Sequence, residues 1–83
     1  MADDVRDKVI LIVQDTLRAE SGRDDLLVAP EDSMDTVPEW DSLNFMRVFL
    51  SINEAFEITP DFDDAIHYTS VAKLTDFLRE QVT

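Results

Sequence analysis

Apolar residues recur along this chain at a helical period in three places, separated by stretches in which the period is lost. Val5, Val9, Ile12, Val13 and Leu17 fall on one face of a first helix, with Ile10 and Leu11 widening the stripe. Asp3 or Asp4 can accept its first free amides, Arg18 suits the negative end of its dipole, and Ser21-Gly22 supplies a stop with Gly22 as a left-handed cap. Asp7 and Asp15 interrupt the opposite face without a basic belt, so the stripe reads as core and not as a membrane-surface anchor.

From Arg23 to Trp40 the period weakens, and Pro30 and Pro38 exclude a continuous helix. Leu26, Leu27 and Val28 predict a short helical turn or an inward-facing anchor, and Met34 and Val37 predict plugs for the core. A connection this long implies a functional role or extensive packing. Asp41 then suits the N-cap of a second helix, with Ser42 at its first position and Asn44 at its third. At about 100° per residue, Phe45, Phe49, Ile52 and Phe56 share a core face flanked by Val48 and Ala55. Across the wheel, Leu43, Met46 and Leu50 form a smaller apolar patch among Arg47, Asn53, Glu54 and Glu57.

Ile58 to Phe62 reads as a break, with Pro60 opposing continuation and Asp61 available as a cap. Phe62 and Ile66 predict a short third helix whose apolar side closes the bundle. Thr69 or Ser70 can start a last helix, with Val71, Leu74, Phe77 and Leu78 inward and Arg79 at its C-terminal end. The expected fold is therefore all-α: a four-helix bundle of three main helices and one short one, centred on Phe45, Phe49, Ile52, Phe56, Val71 and Leu74.

The chain has 83 residues, which sets the expectation of a single domain spanning 1–83 that buries roughly 60% of its unfolded surface. Its 19 acidic residues against 7 basic ones give a formal charge of −12, a surface that repels nucleic acid and attracts basic protein patches, or simply keeps the chain soluble. Organised periodicity with 45% hydrophobic content argues against disorder. There is no membrane-length apolar run and no leader pattern, and the absence of cysteine removes disulfides and thiol nucleophiles, so a cytoplasmic monomer without membrane insertion is expected.

Candidate chemistry concentrates at Ser42. No G-x-S-x-G elbow surrounds it, and His67, the only histidine, has no sequence relation that makes it a base, so a hydrolase reading is poor. The start of a helix does present free amides that favour a nearby phosphoryl group. Asp61, Asp63 and Asp64 lack the glycine and terminal carboxylate of a calcium loop; capping and surface charge account for them, no metal is expected, and His67 reads as a surface or packing residue.

The Asp41-Ser42-Leu43 motif before a helix, the long preceding loop, the second helix ending at Phe56 and the Ile58-Thr59-Pro60 segment leading to two further helical elements resemble discrete, bacterial-type acyl carrier proteins, over almost the whole chain. The resemblance implies a non-catalytic carrier whose Ser42 receives 4'-phosphopantetheine from a phosphopantetheinyl transferase, with Asp41 and Leu43 completing the attachment motif. The arm would hold acyl intermediates as thioesters for fatty-acid, polyketide or related pathways. Implied partners are the transferase, acyl-loading enzymes, and ketosynthases or acyltransferases with basic docking patches.

The family's recognition surface is the helix after the modified serine, which here points to Met46, Arg47, Leu50, Glu54 and Glu57 as docking residues. Glu39, Asp35 and Asp41 are further acids able to receive a partner's Lys or Arg. Trp40 either seals the loop or stays partly exposed at the docking surface. Trp40 departs from a small or polar residue before the motif, and Arg47 departs from the usual acidity of the recognition helix. An aminoacyl or peptidyl carrier, and a noncovalent interaction module using the Leu43-Met46-Leu50 patch, are the alternatives.

Overall fold

The computed structural model describes residues 4–59, 61, 63 and 65–82, the side chain of Val82 excepted. Three helices carry the fold: α1 (Asp4–Ser21), α2 (Ser42–Ala55) and α3 (Val71–Val82), with a single 3₁₀ turn at Ala65–His67 before α3. No described residue belongs to a sheet; one isolated antiparallel bridge joins Ser33 to Ser70. The all-α bundle with three main helices and one short element is thus the observed architecture.

Each helix forms where its period and its caps agree. Val9, Val13 and Leu17 of α1, Val48, Phe49 and Ile52 of α2, and Val71, Leu74 and Leu78 of α3 are buried together. The helix α1 packs against both of the others. Gly22 ends α1 at φ +73°, its amide bonding the Arg18 carbonyl at 2.9 Å, as a left-handed cap requires. Ser70 starts α3 by accepting the Lys73 amide at 3.1 Å. The alternative cap Asp3 lies outside the described residues.

Between α2 and α3 stands Tyr68, stacked on Phe49 at 6.2 Å and tilted against Phe77 at 4.6 Å between ring centroids. Aromatic pairs at such spacing add attraction beyond the area they bury. Tyr68 is a packing residue that apolar periodicity did not mark, because it lies outside every helix.

The long connection is fastened at several points. Gln14 accepts the Val28 amide at 3.0 Å and Arg18 donates to the Leu26 carbonyl at 2.8 Å, which ties the first part of the loop to α1 and buries Leu26 and Val28. Leu27 between them points to solvent, so the expected apolar trio contributes two anchors. Farther along, the Met34 amide bonds the Thr69 carbonyl at 2.9 Å and the Val71 amide bonds the Asp32 carbonyl at 3.1 Å, stapling the loop to the start of α3. Val37 is buried and Met34 packs on the core, as expected of the two plugs.

Two expectations need correction. Ile66 does not close the bundle: it is 70% exposed, because one 3₁₀ turn can direct only Ala65 inward; Phe62, its predicted partner, lies outside the described residues. Asn53 is buried rather than part of the outer patch. Its amide donates to the Phe49 carbonyl at 2.8 Å, and its position on the wheel is only about 40° from Phe49, so geometry overrode polarity.

Candidate functional site

The site is built at the junction of the loop with α2. Asp41 adopts an extended conformation (φ −96°, ψ −174°), and its carboxylate accepts the amides of Leu43 at 3.1 Å and Asn44 at 2.9 Å. Its carbonyl takes the Phe45 amide at 2.8 Å. This is the N-cap that the sequence predicts, and it places Ser42 at the first helical position. Ser42 is exposed, and no side chain among the described residues hydrogen-bonds its hydroxyl.

The cap changes one expectation. Of the first amides of α2, those of Leu43, Asn44 and Phe45 are already engaged by Asp41, so they do not form a cradle for a phosphoryl group. A phosphodiester on Ser42 would meet no steric obstacle from the core, because the residue is exposed.

The outer face of α2 runs from this point. Leu43 is 66% and Leu50 43% exposed, with Arg47 between them in the same helical stripe. Met46 is only half-exposed and packs partly on the core. Arg47 reaches across to Glu20 at the end of α1, Nε to Oε1 at 3.2 Å. Glu54 and Glu57 are exposed near the far end of the helix. Trp40 is corrected as a docking residue: it is 1% exposed, wedged into the core as the last buried anchor of the loop, with its indole N–H buried and unpaired.

Glu39 is corrected as well. Its carboxylate accepts Arg23 Nη1 at 2.8 Å, with its side chain 15% exposed, so it is spent within the chain and not free for a partner. The Glu39 carbonyl accepts Asn44 Nδ2 at 2.8 Å. Arg23 also lies 3.4 Å from Asp25, whose carboxyl it holds below the usual carboxylate range through that hydrogen bond; the same carboxylates raise the guanidinium. The Arg23–Glu39 and Arg47–Glu20 pairs were not legible from the sequence, since their partners are remote along the chain.

Away from Ser42, a cavity of about 170 Å³ is lined by Phe49, Ile58, Tyr68 and Phe77, with Thr59, Asp61 and Gln81 supplying polar atoms. Asp61 accepts the Asp63 amide at 3.0 Å, which is a turn role; Asp64 lies outside the described residues, and His67 is exposed. The described residues hold no cluster of three or more potential metal ligands, and no described helix is long and apolar enough to cross a membrane.

A family model described as "Phosphopantetheine attachment site" matches residues 7–78. No curated protein and no solved structure matches the chain.

Proposed function

Because the chain belongs to the phosphopantetheine-attachment family, of which acyl carrier proteins are members, we propose that Ser42 is its attachment residue and that the carried cargo is an acyl group. Carriers of this family are acted on by partner enzymes and are not catalysts. The observation that carries the choice of residue is the exposed, unengaged Ser42 hydroxyl at the capped start of α2, inside the matched region. The whole of 1–83 is read as one carrier domain.

The chemistry asked of the chain is small. Ser42 Oγ attacks the pantetheine-side phosphorus of coenzyme A, forming a new P–O bond as the pyrophosphate bond breaks. Adenosine 3',5'-bisphosphate leaves with the electron pair, and a base on the transferase takes the serine proton. When bound, the arm supplies the thiol that this cysteine-free chain lacks and on which an acyl group is held as a thioester. Asp41 holds the first turn so that Ser42 projects outward, and Leu43 beside it offers apolar surface to the transferase.

Docking follows from the stripe along α2. Leu43 and Leu50 provide apolar contact, Met46 provides part of one, and Glu54 and Glu57 steer basic patches on the transferase, on acyl-loading enzymes and on ketosynthases or acyltransferases. Arg47 breaks the acidic pattern and favours partners that tolerate or pair a cation at that point. Fatty-acid and polyketide pathways are the proposed setting; loading assays with acyl and aminoacyl donors separate these from peptidyl carriers.

The test is intact mass after incubation with coenzyme A and a broad-specificity transferase. One phosphopantetheine-sized addition, absent from Ser42→Ala, is expected. No addition to a folded chain alongside an active control would favour a noncovalent interaction module instead.

A further inference from the structure

We infer that Arg23 and Glu39 are positioning residues for the modification of Ser42: their ion pair fixes the strand of loop that enters α2 and thereby the direction in which the serine hydroxyl is presented. The inference rests on the reading of Ser42 as the attachment residue and extends it to two side chains that touch neither the serine nor its cargo.

The three residues before Ser42 are each held by a different device. Glu39 is gripped twice: its carboxylate by Arg23 at 2.8 Å, its carbonyl by Asn44 Nδ2 of α2 at 2.8 Å. Trp40 is anchored in the core, its amide bonded to the Val37 carbonyl at 3.0 Å. Asp41 caps α2. Arg23 is itself placed by the end of α1, since it follows the left-handed Gly22 and its amide bonds Ser21 Oγ at 3.2 Å. The ion pair therefore spans 16 residues of sequence and ties the end of α1 to the entry of α2.

Its contact with Asp25 cannot do this, because a neighbour two residues away in an exposed loop fixes nothing across the fold. The Arg47–Glu20 pair makes a second, separate tie about one turn into α2. The pair is open to solvent on its Arg23 side and largely covered only on its Glu39 side, so its share of global stability is modest and replacing either partner by Gln should leave the fold intact while freeing the segment next to the nucleophile. Catalysis of a transfer is sensitive to such misplacement even when binding is not.

Two single substitutions of opposite charge effect separate positioning from electrostatic docking. Arg23→Gln makes the chain more negative and Glu39→Gln makes it less so. If the pair positions Ser42, both lower kcat of phosphopantetheine transfer by about fivefold with KM near native, the scale expected for losing one such ion pair. The double exchange Arg23→Glu with Glu39→Arg restores most of the rate, and Asp25→Asn leaves it at the native value.

Effects of opposite sign that follow net charge, effects on KM alone, or native rates in both single variants would overturn the inference while the native chain is still modified normally. A native chain that accepts no phosphopantetheine removes the premise, and the inference falls with it. Should the double exchange fail to fold, the two single variants still decide the matter by the sign of their effects.

Discussion

Replacing Glu57 by glycine should stabilise this protein while weakening its association with partners. Glu57 follows the last turn of α2 at φ +55°, a left-handed conformation that costs a non-glycine residue about 1–2 kcal/mol. The geometry is a paired helix stop: the Ile58 amide bonds the Asn53 carbonyl at 2.8 Å and the Glu57 amide bonds the Glu54 carbonyl at 3.2 Å. The left-handed position is thus imposed by the way α2 ends.

Glycine removes the strain but loses about 0.4–1 kcal/mol through the greater freedom of its unfolded chain. Removing a carboxylate from the negative end of the α2 dipole returns about 0.3–1 kcal/mol. The net expectation is a gain of about 1 kcal/mol, read as a Tm rise of about 4–8 °C in a domain of this size. Thermal unfolding followed by circular dichroism measures it, with Glu57→Ala as the comparison that removes the charge and keeps the strain. Glycine no more stable than alanine would refute the reasoning about the helix stop.

Other outcomes follow from the same structure. Asp41→Ala should cost about 1 kcal/mol by loss of the cap, while Asp41→Asn keeps most of it; urea midpoints distinguish them. Trp40→Ala should cost about 3–5 kcal/mol because it empties a core site, so any loss of partner binding will accompany loss of stability in thermal scans, whereas a surface residue would lose binding alone. Glu54→Gln with Glu57→Gln should slow association with the transferase at low salt and leave it nearly unchanged at high salt, by stopped-flow measurement. Asp25, whose carboxyl Arg23 holds below its ordinary 3.8, contributes stability above that value and loses it as pH falls through the lowered one; the small difference between native and Asp25→Asn urea midpoints should be flat from about pH 5 to 9 and vanish in acid.

What could be read ahead of the structure was whatever is local. The stripes of α1, α2 and α3, the stop at Gly22 and the cap at Asp41 all rest on residues within a few positions of one another, and there the physical cause is also the sequence pattern. Other features depend on parts of the chain that meet only after folding. Arg23 and Glu39, or Glu20 and Arg47, carry no period that would pair them, and acids counted as free for a partner were in one case already engaged. Tyr68 packs from a loop, and Asn53 is buried by its place on the helix despite its polarity. The capped, exposed position of Ser42 was legible because Asp41 and the start of α2 are its immediate neighbours, whereas the Arg23–Glu39 pair that ties its loop to the end of α1 was not.

The measurement that bears most directly on the account is localisation of the modification. After transfer from coenzyme A, the chain would be digested and the modified peptide fragmented in the mass spectrometer, with the phosphopantetheine assigned by its flanking fragment ions. The group is expected on Ser42 and on no other residue, with loss of the addition in Ser42→Ala. Modification at another hydroxyl, such as Ser33 or Ser51, or persistence of the addition in the alanine variant, would contradict it.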